Sequence, residues 1–185
     1  VYKRQLENEG LLENTIVVLT SDHGEMFERG IHEHFHETLH QPVIQVPLLI
    51  FMPGQAKRRD IHAPTSAVDL LPTLLHLTGQ PIPDWIEGQV LPPFADAPAD
   101  PQRAVYAVEA KESEQYGPIN PASLMIVKNG YKLTYYSGWE RQGDDTPIVE
   151  LYAIEEDPEE MNNLANELPV IRDALLAEVL AKAGL

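Results

Sequence analysis

Residues Thr15 to Glu25 read TIVVLTSDHGE. Four apolar residues, three of them β-branched, lie between two threonines and run straight into Ser21-Asp22-His23-Gly24-Glu25. A continuous apolar run of this kind suits a strand buried on both faces of a parallel sheet. In such sheets ligands sit beyond the carboxyl ends of the strands, so Asp22 and His23 are expected to face a crevice. His32, His34, His36 and His40 follow before a second apolar run at Val46 to Met52. Strand, histidine-rich loop, strand is the arrangement of an α/β enzyme.

The rest of the chain limits what such a unit can be. At 185 residues with 43% hydrophobic content, it is long enough to bury one core with a small appended subdomain. The longest apolar stretch, Val46 to Met52, contains Pro47 and is far shorter than the ~20 residues of a membrane span. With 13 Lys+Arg against 29 Asp+Glu, the formal charge of −16 repels phosphate backbones and anionic lipid, which argues against nucleic acid as a partner. An anion site must then be built locally from metal, histidines or helix N-termini. The absence of cysteine excludes disulfides, thiolate zinc sites and a cysteine nucleophile within these residues, and leaves the compartment open.

Tyr2 to Glu9 reads as the last turns of a helix closed by Gly10, and Pro53-Gly54 stops the second strand. Apolar residues at Val68, Leu71, Leu74, Leu75 and Leu77 predict a helix ending at Gly79, with Pro72 kinking it or marking a fresh start. Gln80 to Pro101 is proline-rich and reads as a wrapping linker, with a subdomain boundary near Ala95. Beyond it, Ala104 to Ala110, Ser123 to Lys128 and Val149 to Ile154 are strand candidates. Asn129-Gly130 predicts a hairpin into Tyr131 to Tyr136, whose alternation suits a half-buried strand. An amphipathic helix over Pro169 to Ala183, stopped by Gly184, closes the chain.

Neighbouring side chains on a strand point to opposite faces, so Asp22 and His23 serve one centre only if the chain turns there, which Gly24 permits. A carboxylate and a neutral imidazole suit a hard or borderline divalent ion: calcium, manganese, magnesium or zinc. His34 and His36, flanking Phe35, share one face if extended, and such a pair can bind an anion or protonate a leaving group near neutral pH. Packing or solvent exposure is the competing account for His32 and His40. Glu25 reads as a helix-entry carboxylate, with a general base as the alternative, and Asp69 as a cap or packing partner.

ENTIVVLTSDHGEMFERG followed by HFHETLHQPVIQVPLLIFMPG resembles the C-terminal half of the sulfatase family, within the alkaline-phosphatase-like superfamily. So do APTSAVDLLPTLLHLTG, GYKLTYY and ELYAIEEDPEEMNNLA, in the same order along nearly the whole chain. The resemblance implies part of a three-layer α/β/α core over residues 1–95, and a C-terminal subdomain of antiparallel strands and a terminal helix over residues 96–185. It implies a metal-dependent sulfuric ester hydrolase acting on a small-molecule sulfate ester. Asp22 and His23 would be metal ligands. His36, counted back from Val46-Pro47, would hold the sulfate oxygens and help the leaving group, with His34 next in line. Histidine at position 23, where many sulfatases have asparagine, also fits phosphonate monoester and phosphodiester hydrolases of the superfamily.

The departures are as informative. The family's Cys- or Ser-x-Pro-x-Arg segment, whose first residue becomes the formylglycine nucleophile, is absent, as is its early Asp-Asp metal pair; Asp144-Asp145 falls in a late loop. The expectation is a C-terminal fragment of a longer enzyme, inactive in isolation and prone to homo-oligomerise through surface that truncation uncovers. A non-catalytic metal-binding or interaction module is the alternative of a different class.

Overall fold

The computed structural model describes residues 2–34, 37–110, 119–139 and 147–185. The chain forms two compact units, Val1–His34 with Pro42–Asp60, and Phe35–Gln41 with Ile61–Leu185.

In the first unit, α1 (Tyr2–Asn8) ends at Gly10, whose φ of 70° supplies the left-handed turn expected of a closing glycine. A single turn of 3-10 helix, Leu11–Asn14, leads into β1 (Val17–Thr20). A short helix, α2 (Gln41–Ile44), precedes β2 (Leu48–Phe51). β1 and β2 pair antiparallel, from Val17 opposite Phe51 to Thr20 opposite Leu48. The parallel, doubly buried strand expected from the apolar run is therefore corrected. The loop after β1 folds back on itself at an isolated Met26–Glu33 bridge, and β2 returns beside β1 in the opposite sense. Leu19, Leu48 and Leu49 are exposed.

The second unit is built on a four-stranded antiparallel meander: β3 (Val105–Ala110), β4 (Ala122–Lys128), β5 (Tyr131–Ser137) and β6 (Ile148–Ala153). Asn129 and Gly130, at φ 53° and 77°, form the β4–β5 turn, as a primed two-residue hairpin requires. One face carries Leu124, Ile126, Leu133 and Leu151, and these pack with Leu175 and Val179 of α4 (Pro169–Ala183). Lys128 donates to the Glu178 carboxylate of α4 at 2.8 and 2.9 Å, and Tyr106 donates to the same group at 3.1 Å.

The opposite face of this sheet is polar and equally dry. Ser123, Lys132 and Thr134 are buried, and Tyr136 donates from beneath the surface to Glu150 at 2.9 Å. The half-buried β5 expected from alternation is thus buried on both faces, because residues 37–41 lie across its polar side. Ser123 Oγ donates to the carbonyl of Glu37, and the Lys132 ammonium donates to the carbonyl of Leu39 and to the Glu160 carboxylate. Glu160 also accepts from the backbone N–H of Gln41 at 2.7 Å and faces His40 Nδ1 at 3.3 Å. His40 is therefore a buried, paired residue, in line with its packing account.

Burial alone would raise the Glu160 pKa, but His40, Lys132 and the Gln41 N–H outweigh it and hold the carboxyl down at about 2, against an ordinary 4.5. A depressed carboxylate adds stability that is present above the unfolded value and lost as pH falls through the folded one. Between roughly pH 4.5 and 2 this group is expected to withdraw about 3 kcal/mol. Urea midpoints measured across that range should fall more steeply for the native protein than for a Lys132→Met/Glu160→Leu variant.

Ahead of the meander, Ser66 caps a 3-10 turn, Ala67–Asp69, that runs into α3 (Leu70–Leu77). Pro72 lies in the first turn of α3, where its missing N–H costs nothing, so it produces the fresh start rather than a kink. Asp69 is fully buried; it accepts from Ser66 N–H at 2.8 Å, from Gln89 N–H at 3.0 Å and from both terminal nitrogens of Arg103. It is the cap and packing partner expected, and it also ties down the proline-rich segment. Gly88 is required there by proximity, since a Cβ would lie 2.1 Å from the Val68 carbonyl oxygen.

Candidate metal and acid–base site

The candidate site lies in the first unit, where β1 ends at Thr20 and the chain bends. Ser21 Oγ donates to the His23 carbonyl at 2.7 Å and closes the bend, while His23 N–H donates to Asp22 Oδ1 at 3.0 Å. The alternation of a strand is thereby broken, and Asp22 Oδ2 and His23 Nε2 come within 3.7 Å of one another. Gly24 permits this by its size: its N–H donates to the Val43 carbonyl at 2.7 Å, and a Cβ would stand 1.9 Å from the Pro42 carbonyl oxygen. Replacing Gly24 with alanine is expected to cost at least ~1–3 kcal/mol by overpacking and to weaken metal binding with it. Calorimetric titration of the variant alongside a urea curve measures both.

The protonation pattern favours metal ligation. His23 Nδ1 lies 2.8 Å from the Gly24 carbonyl oxygen, which can only accept, so Nδ1 carries the proton and Nε2 presents its lone pair. Donation of the second ring nitrogen to a backbone carbonyl is how proteins commonly orient a ligating histidine. The Asp22 carboxyl is held below the usual range chiefly by the N–H of His23 and by its own N–H. An ionised oxygen and a neutral nitrogen, too far apart to bond each other, thus converge on one point. The pair fits a divalent ion as two ligands; among the described residues no group of three or more ligating side chains occurs.

His34 joins the same neighbourhood. Its ring stacks on that of His23, with centroids 3.8 Å apart and planes 29° from parallel. Its Nδ1 faces both oxygens of Glu25, at 3.2 and 3.3 Å. Glu25 therefore does not open a helix. The fold-back at Met26–Glu33 sets its carboxylate behind the His34 imidazole, the geometry that fixes a tautomer and supports proton transfer at Nε2. Sequence reasoning missed this role, since no linear spacing joins residues 25 and 34; a turn at Arg29-Gly30, both with positive φ, was the available signal. His36 lies outside the described residues, and His32 is exposed.

Comparison with solved structures gives the class first: a partial alkaline-phosphatase-like α/β fold. A phosphonate monoester hydrolase from Silicibacter pomeroyi superposes with a TM-score of 0.74 at 24% identity, over 98% of this chain and 37% of its own. A protein solved in complex with its substrate D-glucosamine-2-N,6-O-disulfate superposes with a TM-score of 0.68 at 27% identity, over 99% and 37%. The sulfatase family model matches residues 4–80. Arylsulfatase K of Xenopus laevis is 31% identical over 169 residues, 89% of this chain and 30% of the length of that enzyme. The chain is thus similar to sulfatases, through the family model over residues 4–80 and through these relatives, and spans about 30% of the length of the curated relatives it matches.

Proposed function

We propose that the whole protein is a metal-dependent sulfuric ester hydrolase, with residues 1–95 contributing to its catalytic core and residues 96–185 forming a C-terminal subdomain. The observation that carries this reading is the convergence of Asp22 Oδ2 and His23 Nε2 at 3.7 Å, with His23 locked in the ligating tautomer by Gly24. Asp22 and His23 would hold a divalent ion, with calcium, magnesium and manganese matched to the hard carboxylate oxygen and zinc also compatible with the imidazole. When bound, the ion supplies Lewis acidity to the ester oxygens. The formylglycine nucleophile and the remaining ligands come from outside these 185 residues, so the chain by itself is expected to be inactive.

The chain's own residues then bind the transferred group and move protons. His36 is assigned the contact with the transferred group and the leaving oxygen. His34, backed by Glu25, is the second candidate: its Nε2 can give a proton to the departing alkoxide while Glu25 compensates the charge. A phosphonate or phosphodiester hydrolase is the second reading, favoured by histidine at position 23 and by the likeness to the Silicibacter pomeroyi fold. Self-association of the chain through the exposed β1–β2 face belongs to the same proposal.

Specificity constants of the whole protein for matched aryl sulfate, aryl phosphonate and aryl phosphodiester substrates test the assignment. A preference for sulfate of about a hundredfold or more supports the first reading, and the reverse order supports the second. Turnover of none of them supports a non-catalytic, metal-binding module.

A further inference from the structure

Phe27 is the most exposed large apolar side chain described in the first unit, at 77%, while its neighbour Met26 is fully buried. A lone exposed apolar residue ordinarily means nothing. The position of this one carries meaning, because it lies on the arm that builds the Glu25–His34 pair.

That arm is pinned at two points. Glu33 N–H donates to the Met26 carbonyl at 3.1 Å and closes the bridge, and Ile31 N–H donates to the Glu28 carbonyl at 2.9 Å and closes the turn at the tip. The Met26 side chain is sunk beneath the arm, so Glu25 and Phe27, on either side of it in an extended stretch, share the opposite face. On that face Glu25 meets His34 at 3.2 Å. Two residues along a strand span about 6–7 Å, so Phe27 stands roughly one ring's width beyond the carboxylate that backs the imidazole. Its charged neighbours already have partners: Glu25 faces His34, and Glu28 pairs with Arg29 at 3.3 Å. Phe27 is left as an apolar surface between two compensated charges.

An ester has two ends with opposite demands. Its anionic group seeks cations and hydrogen-bond donors, whereas the organic group on the leaving oxygen is neutral and is recognised by apolar contact. A leaving oxygen within hydrogen-bond reach of His34 Nε2, about 3 Å, carries that organic group over the next several ångströms, the span at which Phe27 stands. We propose that Phe27 is a specificity-determining residue that receives the ring of an aryl leaving group, edge-to-face or offset-stacked. The inference rests on the reading of Asp22, His23 and His34 as an ester-hydrolysing site, and adds to it the chemistry of the organic half of the substrate.

Phe27→Ala and Phe27→Trp in the whole protein test it with two esters of whichever acid the wild type prefers: a phenyl ester, and a small fluorinated alkyl ester whose alcohol is as acidic as phenol. Phe27→Ala is expected to lower kcat/KM for the phenyl ester about 10- to 100-fold, mostly through KM, and to leave the alkyl ester within about twofold. Phe27→Trp should keep the phenyl ester within about threefold, because another aromatic face replaces the lost one. The urea midpoint and the manganese affinity should not move, since Phe27 supports neither the core nor the ion. Where the alkyl ester binds without turnover, its competition constant against the phenyl ester takes the place of kcat/KM. Equal losses for both esters, or a lowered urea midpoint in Phe27→Ala, overturn the inference, because Phe27 would then pack against the enzyme itself. A wild type that hydrolyses no ester refutes the functional reading and the inference with it, whereas an active wild type with unchanged phenyl ester kinetics in Phe27→Ala refutes the inference alone.

Discussion

Asp22→Ala in the whole protein is expected to lower kcat/KM for its preferred ester by on the order of a thousandfold and to weaken divalent-metal affinity by a hundredfold or more. In the proposed pair the carboxylate is the hard anionic ligand, held ionised by the N–H groups around it, so its removal takes away the charge of the pair. His23→Ala should approach the same loss, because it removes the Nε2 that faces Asp22 at 3.7 Å. His23→Asn keeps a neutral donor and should retain more metal affinity than His23→Ala. Isothermal titration with calcium, magnesium and manganese, run beside steady-state kinetics, separates the two effects. Full activity of Asp22→Ala would remove the pair from the mechanism.

Lys132→Met alone is expected to destabilise the fold by about 3–5 kcal/mol, since it leaves the Glu160 carboxylate buried without its cation. Adding Glu160→Leu should recover most of that loss, although each change on its own removes a native contact. Urea unfolding of the two single variants and the double variant measures the coupling. Additive losses would show that the pair is solvated and that its burial has no energetic consequence.

The meander and the closing helix were legible in the sequence because each depends on local chemistry. Asn129-Gly130 can only be a primed turn between two strands, and Leu175 and Val179 lie one helical turn apart on the face that meets the sheet. The proposal for Asp22 and His23 drew on a similar local signal, an acid and an imidazole just beyond an apolar strand. What could not be read locally was how far the chain doubles back. The period-2 pattern of β5 marks Lys132 and Thr134 as solvent-facing, yet both are buried, Lys132 against Leu39 and Glu160 from distant parts of the sequence. The Glu25–His34 pair was hidden likewise, behind a fold-back closed by one isolated bridge. The antiparallel pairing of β1 departs from the expected parallel one because an apolar run specifies burial propensity and says nothing about the direction of its neighbour.

The bonds that fasten residues 37–41 span 86, 93 and 119 residues of chain. Contacts of such separation bring a large loop-closure cost and form late, after the local hairpins and helices that supply their partners. During synthesis the stretch behind His36 leaves the ribosome long before Ser123, Lys132 and Glu160 exist to receive it. Residues 37–41 therefore cannot take up their final conformation until the segment that carries Glu160 has folded. A chain interrupted before Glu160 would leave residues 37–41 without the side chains that fasten them, so their final conformation is a late product of synthesis.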